Sequence, residues 1–137
     1  MFVTYQPEGE KPQRWEFDPD RVRQSRAEII EKRFGKNWDQ FRAGVQSGDS
    51  KARKVLLWHL ISLEHHTLRY EDVPDFCMGE LKVEHSRGEL LVLRDRLAKV
   101  NLPEDEREQM LTALDIEITD AIASEDDLGK APSPSDA

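Results

Sequence analysis

The chain has 137 residues, with 28 acidic and 20 basic side chains and a formal net charge of −8. Apolar residues make up 37% and charged residues 35%, which fits one domain-sized chain with a modest core and excludes wholesale disorder. No apolar run approaches the roughly 20 residues that span a bilayer, Met1-Phe2-Val3-Thr4-Tyr5 carries no signal-peptide pattern, and the single Cys77 excludes an internal disulfide and suits a reducing compartment.

Residues 2–6 and 13–17 alternate with a period of two and predict a short β-hairpin around the turn-rich Pro7-Glu8-Gly9-Glu10-Lys11-Pro12. A lone hairpin is marginal, so it is expected to pack on helices. Asp18-Pro19 then reads as a cap followed by a first helical position, with a helix running to about Phe34 and stopping at Gly35. A second, shorter helix starts at Asn37 and carries Trp38, Phe41 and Val45 at helical spacing. Ser47-Gly48-Asp49-Ser50 ends it and caps a third helix, about Lys51 to His65. That helix is apolar on more than one face, through Ala52, Val55, Leu56, Leu57, Leu60, Ile61 and Leu63, so it is expected to be central.

From about Leu81 the pattern changes. Leu90, Leu93, Leu97 and Val100 step by 3, 4 and 3. After Asn101-Leu102-Pro103, the residues Leu111, Leu114, Ile118 and Ala121 or Ile122 repeat those steps. Two seams of about two heptads each predict an antiparallel helical hairpin rather than a coiled coil. The seam is also free to receive a helix from another chain. The expected fold is therefore mainly α. A small helical domain with a short N-terminal β-hairpin (1–83) is followed by a helical hairpin (84–124) and a disordered acidic, Pro/Ser-rich tail (125–137).

The charge is uneven. Residues 1–100 hold 18 basic and 17 acidic side chains, whereas 101–137 hold 2 basic and 11 acidic. The acidic segment repels phosphate, which argues against a nucleic-acid partner and for a basic one. A solvated helix face with a solubilising tail is the plainer account of the same charges.

Chemical signatures are missing. His65, Cys77 and His85 can be drawn as a zinc site, but their spacing matches no short metal motif. Cys77 with His85 as base lacks any local sign of an orienting third group. No glycine-rich phosphate loop occurs. The expectation is a protein without enzymatic activity, metal or cofactor. The basic cluster Lys51, Arg53 and Lys54, with Trp58 one turn on, is the candidate contact surface, together with the aromatics Trp38, Phe41 and Tyr70. Core packing is the competing account of each aromatic.

One stretch is more specific than composition. It comprises Trp15-Glu16-Phe17-Asp18-Pro19, then Glu28-Ile29-Ile30-Glu31-Lys32 with Gly35 and Trp38-Asp39-Gln40-Phe41. Lys51-Ala52-Arg53-Lys54-Val55-Leu56-Leu57-Trp58-His59-Leu60 and Thr67-Leu68-Arg69-Tyr70-Glu71-Asp72-Val73 complete it. Over roughly residues 3–83 this resembles the tail assembly chaperones of long-tailed bacteriophages that infect actinobacteria. The third helix departs from that pattern by ending in Glu64-His65-His66 rather than a more basic end. The resemblance implies a non-enzymatic protein of the host cytoplasm that binds the tape-measure protein, keeps it soluble and helps recruit the major tail protein. Such a protein leaves no copy in the virion and is compatible with self-association. It also implies a longer form made by a −1 ribosomal frameshift. Gly129 and Lys130, after Leu128, are codon-compatible with a G-GGA-AAR slippery site. The alternative is an acidic regulator or inhibitor that occupies a basic, nucleic-acid-binding partner.

Overall fold

A computed structural model describes residues 1–130, with side-chain surroundings given through residue 121. The described residues are mainly helical and form five α-helices and one small antiparallel sheet. It divides into two units, Met1–Glu84 and a second beginning at His85. No described helix is long and apolar enough to cross a membrane.

In the first unit, alternation at Phe2–Tyr5 makes strand β1, with Val3 and Tyr5 buried and Phe2 and Thr4 half-buried. β2 (Gln13–Glu16) pairs with it antiparallel, Val3 opposite Trp15 and Tyr5 opposite Gln13. A third strand, β3 (Leu81–Glu84), lies on the other side of β1, Tyr5 opposite Leu81 and Phe2 opposite Glu84, so the order is β2-β1-β3. The sequence predicts only a two-stranded hairpin, and it assigns no strand to the residues just before the helical hairpin expected from 84. Here Leu81 is instead a core strand residue, 1% exposed. Pairing leaves β1 with neighbours on both edges, which satisfies its backbone groups as a lone hairpin would not.

The helix expected from Pro19 is also different. Asp18 caps only a single 3-10 turn, Pro19–Arg21, by accepting the Asp20 N–H at 3.0 Å. Phe17 and Pro19 are buried and Val22 packs on the core, which holds the chain in a turn followed by extended backbone. Helix α1 therefore starts at Gln24 and runs to Phe34, burying Ile30 and Phe34. It ends on Gly35 at φ 87°, a left-handed conformation that glycine adopts without strain. Helix α2 (Trp38–Ser47) opens on a capping box between Asn37 and Gln40. Helix α3 (Ser50–Ser62) is capped by Asp49, whose carboxylate accepts the Ala52 N–H at 2.9 Å.

Residues 55–60 of α3 are all buried, so the helix lies at the centre, against α1 and α2. Close approach of α2 and α3 uses Gly44, where an added Cβ would stand 3.0 Å from the Ala52 Cβ. The core runs from Met1, Val3 and Tyr5 through Phe17, Ile30, Phe34, Phe41 and Val45 to α3, Val73 and Leu81.

The second unit is a helical hairpin. Helix α4 (Arg87–Lys99) starts on a capping box between Ser86 and Glu89. Helix α5 (Glu104–Lys130) follows the Asn101-Leu102-Pro103 turn, which Arg107 closes by donating to the Val100 carbonyl at 2.6 Å. Arg94 joins the two helices through Asp115 at 2.7 Å. The segment expected to be disordered from 125 instead continues α5 as far as Lys130. Residues 125–128 contain no helix breaker, and the first proline after them is Pro132. Residues 131–137 of that segment lie outside the described residues.

Candidate protein-binding surface

The seven residues proposed from sequence as contacts separate into three groups. Phe41 belongs to the core, with no exposed surface, packed against Phe34 (5.7 Å, 69°) and Trp38 (5.3 Å, 35°). Trp38 is half-buried beside it, and its backbone N–H donates to Glu31 Oε2 at 2.9 Å, tying the start of α2 to α1. Both are structural, because i, i+3 spacing on a short helix presents both rings to one neighbour.

Arg53 is structural as well. Its Nε donates to the Val45 carbonyl at 3.1 Å and its Nη1 to the Leu81 carbonyl at 3.2 Å. Val45 lies in the last turn of α2, where carbonyls lack helical partners, so the guanidinium satisfies one and clips α2 to β3. Arg53→Met is expected to lower unfolding stability by about 2 kcal/mol, because two part-buried carbonyls lose a charged donor. Urea unfolding reads this, and a change under about 0.5 kcal/mol would show the clip to be idle. Lys51 is exposed.

Trp58, Tyr70 and Lys54 do come together. Trp58 is 6% exposed, and its Nε1–H donates to the Leu68 carbonyl at 3.2 Å. Tyr70 stands edge-on to it at 6.5 Å and 81°. Three cations converge on the pair. Arg26 lies 4.3 Å from the Trp58 ring centre, and Lys54 Nζ lies 4.4 Å from that of Tyr70. Arg33 is 5.5 Å from the Tyr70 ring and 5.9 Å from the Trp58 ring. One acid, Glu71, sits 3.6 Å from Arg33. Stacked cations over aromatic faces make a surface suited to planar, acidic or aromatic groups of another protein.

Arg26 and Arg33 were missed in the sequence. The signal was present, since Arg26, Ile30 and Arg33 recur at i, i+4 and i+7, placing both cations beside a fully buried residue. Long arginine stems can cover apolar surface from such positions while their heads stay wet.

Behind Trp58, Arg26 also donates from Nε to His59 Nδ1 (3.0 Å) and from Nη2 to Ser62 Oγ (2.6 Å). Burial, with the nearby Arg26 charge, pulls the His59 pKa down to about 4. The imidazole is therefore neutral at pH 7 and accepts through Nδ1, which puts its proton on Nε2. Ser62 Oγ donates onward to the His59 carbonyl at 2.7 Å.

The hairpin offers a second kind of surface. Of the predicted seam, Leu90 and Ile118 are buried, and Leu97, Leu111, Leu114 and Ala121 are half-buried. Leu93 and Val100 are exposed, as are Leu91, Val92, Met110 and Ile116. Two helices alone cannot enclose a heptad seam. Cys77 is exposed and its pKa is raised, mainly by Glu80, which disfavours a thiolate. No three His, Cys, Asp or Glu side chains among the described residues are grouped to hold a metal. Gly129 and Lys130 are the last residues of α5, and their side chains lie outside those described. Compared with family models, with curated proteins and with solved structures, the chain gives no match.

Proposed function

We propose that this chain is a non-enzymatic assembly chaperone that holds apolar helical segments of a client protein. The reading extends the sequence resemblance: the client is a phage tape-measure protein, with the major tail protein as a further partner, in the host cytoplasm and outside the finished virion. The observation that carries it is the incompletely closed hairpin, with the seam positions Leu93, on α4, and Val100, just after its end, both exposed. An amphipathic client helix supplies the apolar face that such a seam lacks. The acidic α5, with Glu104, Asp105 and Glu106 in its first turn, keeps the loaded hairpin in solution. The aromatic and cationic surface around Trp58 and Tyr70 gives a second contact on the first unit.

The test is co-expression with the tape-measure protein of the same phage genome. The full chain is expected to bring that protein into the soluble fraction and to co-purify with it. Leu93→Glu combined with Val100→Glu, both at exposed positions, is expected to cut co-purification at least tenfold while the far-UV spectrum stays unchanged. Unchanged co-purification would remove the hairpin from the mechanism, and failure to solubilise would sink the reading. The acidic-regulator alternative rests on the charge of residues 101–137 and predicts binding that falls steeply with salt, which apolar client binding would not. The longer form requires G-GGA-AAA or G-GGA-AAG at the codons for Leu128 to Lys130, with an open −1 frame beyond.

A further inference from the structure

A cavity of about 650 Å³ lies in the first unit, beside the start of α1 and the end of α3. Its wall is apolar at Phe17, Val22, Leu60 and Leu63, and cationic at Arg21, Arg23 and Arg26. His59 also lines it and is 94% buried, with 6% of its surface exposed.

Three observations point to an anion. Arg26 is half-buried, and burial lowers its pKa. Its charge is met within the protein by neutral groups, His59 Nδ1, Ser62 Oγ and the Trp58 ring, and no described ion pair reaches it. A cation held this way leaves a favourable place for a negative group. His59 lines the cavity and, with Nδ1 occupied, carries its remaining proton on Nε2. Finally, α1 has Arg23 at its N-cap, with no side-chain cap and no acid in its first turn, so the positive end of its dipole stands beside the cavity without a capping carboxylate.

The charge count sets the ligand class. Glu16 and Asp18 also line the cavity, and Asp18 lies 3.8 Å from Arg21. Two carboxylates against three guanidinium groups leave room for a single negative charge and disfavour a polyanion. Leu63, 54% exposed, adds an apolar lip. We infer that this cavity binds one carboxylate side chain of a partner polypeptide, presented beside apolar residues, with Arg26 and His59 as its donors. The inference concerns the first unit only and stands apart from client binding by the hairpin.

The experiment is an NMR titration of the full chain, following the His59 imidazole and the Arg26 Nε–H signals. The probes are blocked Leu-Glu-Leu, blocked Leu-Gln-Leu and inorganic phosphate. The glutamate peptide is expected to give saturable shifts at both groups, with the glutamine peptide binding at least tenfold more weakly and phosphate competing poorly. Leu63→Glu places a charge at an exposed position on the lip and is expected to weaken the glutamate peptide at least tenfold without disturbing the fold. Arg26→Gln is expected to abolish binding. Equal binding of the two peptides, effective competition by phosphate, or full binding by Leu63→Glu would each overturn the assignment.

Discussion

Phe41→Ala is expected to lower the free energy of unfolding by about 3–5 kcal/mol, the range for truncating a fully buried phenylalanine. The ring has no exposed surface, and it meets Phe34 edge-on and Trp38 at a tilt. Its removal costs the transfer of the ring from water and leaves a void between α1 and α2. Collapse around that void is restricted, because Gly44 already brings α2 against Ala52 as closely as the backbone allows. Guanidinium unfolding with constant slope would measure the loss. A loss below about 1 kcal/mol would return Phe41 to the surface role that the sequence suggested.

Acidification is expected to weaken the first unit through His59, by on the order of 3 kcal/mol between neutrality and pH 4. The sign follows from the two states. Unfolded, the imidazole titrates near pH 6.5, whereas folded it titrates near 4 because burial and Arg26 disfavour a second charge. Below pH 6.5 the unfolded chain therefore binds the proton first. The stability is complete above pH 6.5 and is lost as pH falls toward 4. His85 has the opposite sense, because its interaction with Glu89 raises its pKa. The measurement is thus the difference between the parent chain and His59→Asn, which keeps an acceptor near Nδ1 and cannot titrate. The parent is expected to lose about 2 kcal/mol more than the variant between pH 7 and pH 5. Parallel pH profiles would show that His59 titrates normally.

Much of this architecture is legible from local patterns. Gly35, Asn37 and Asp49 mark helix boundaries through their own backbone and side-chain chemistry, so α2, the end of α1 and the start of α3 could be placed from sequence, whereas α3 stops at Ser62 rather than near His65. The Asn101-Leu102-Pro103 break likewise placed the hairpin turn. β3 was not legible, because Leu81-Lys82-Val83-Glu84 alternates over only four residues, too short a run to stand out before a helical stretch. What makes them a strand is the free edge of β1, a property of distant sequence. The surface was less readable than the fold. Periodicity groups aromatic residues on one face without saying whether that face meets a core or solvent, and Phe41 and Trp58 both turned inward. Arg53 looked like part of a basic cluster, yet its partners are carbonyls of α2 and β3 that no local pattern reveals. His59 stood out only as a polar residue in an apolar helix, and its tautomer depends on an arginine 33 positions away.

The two neighbours of β1 are unequal in chain entropy. β2 returns across a short turn, whereas β3 arrives only after all three helices, and Glu80 at its entry accepts the N–H of Glu8 from 72 positions away. Closing the longer loop costs about 2 kcal/mol more than closing the hairpin, since each doubling of length adds roughly 0.6 kcal/mol. That cost is bearable only once α1, α2 and α3 have packed and shortened the path. The β1–β3 seam is accordingly a clasp around the helical body: it is expected to fasten late in folding, so the sheet is complete only when most of the unit is already ordered.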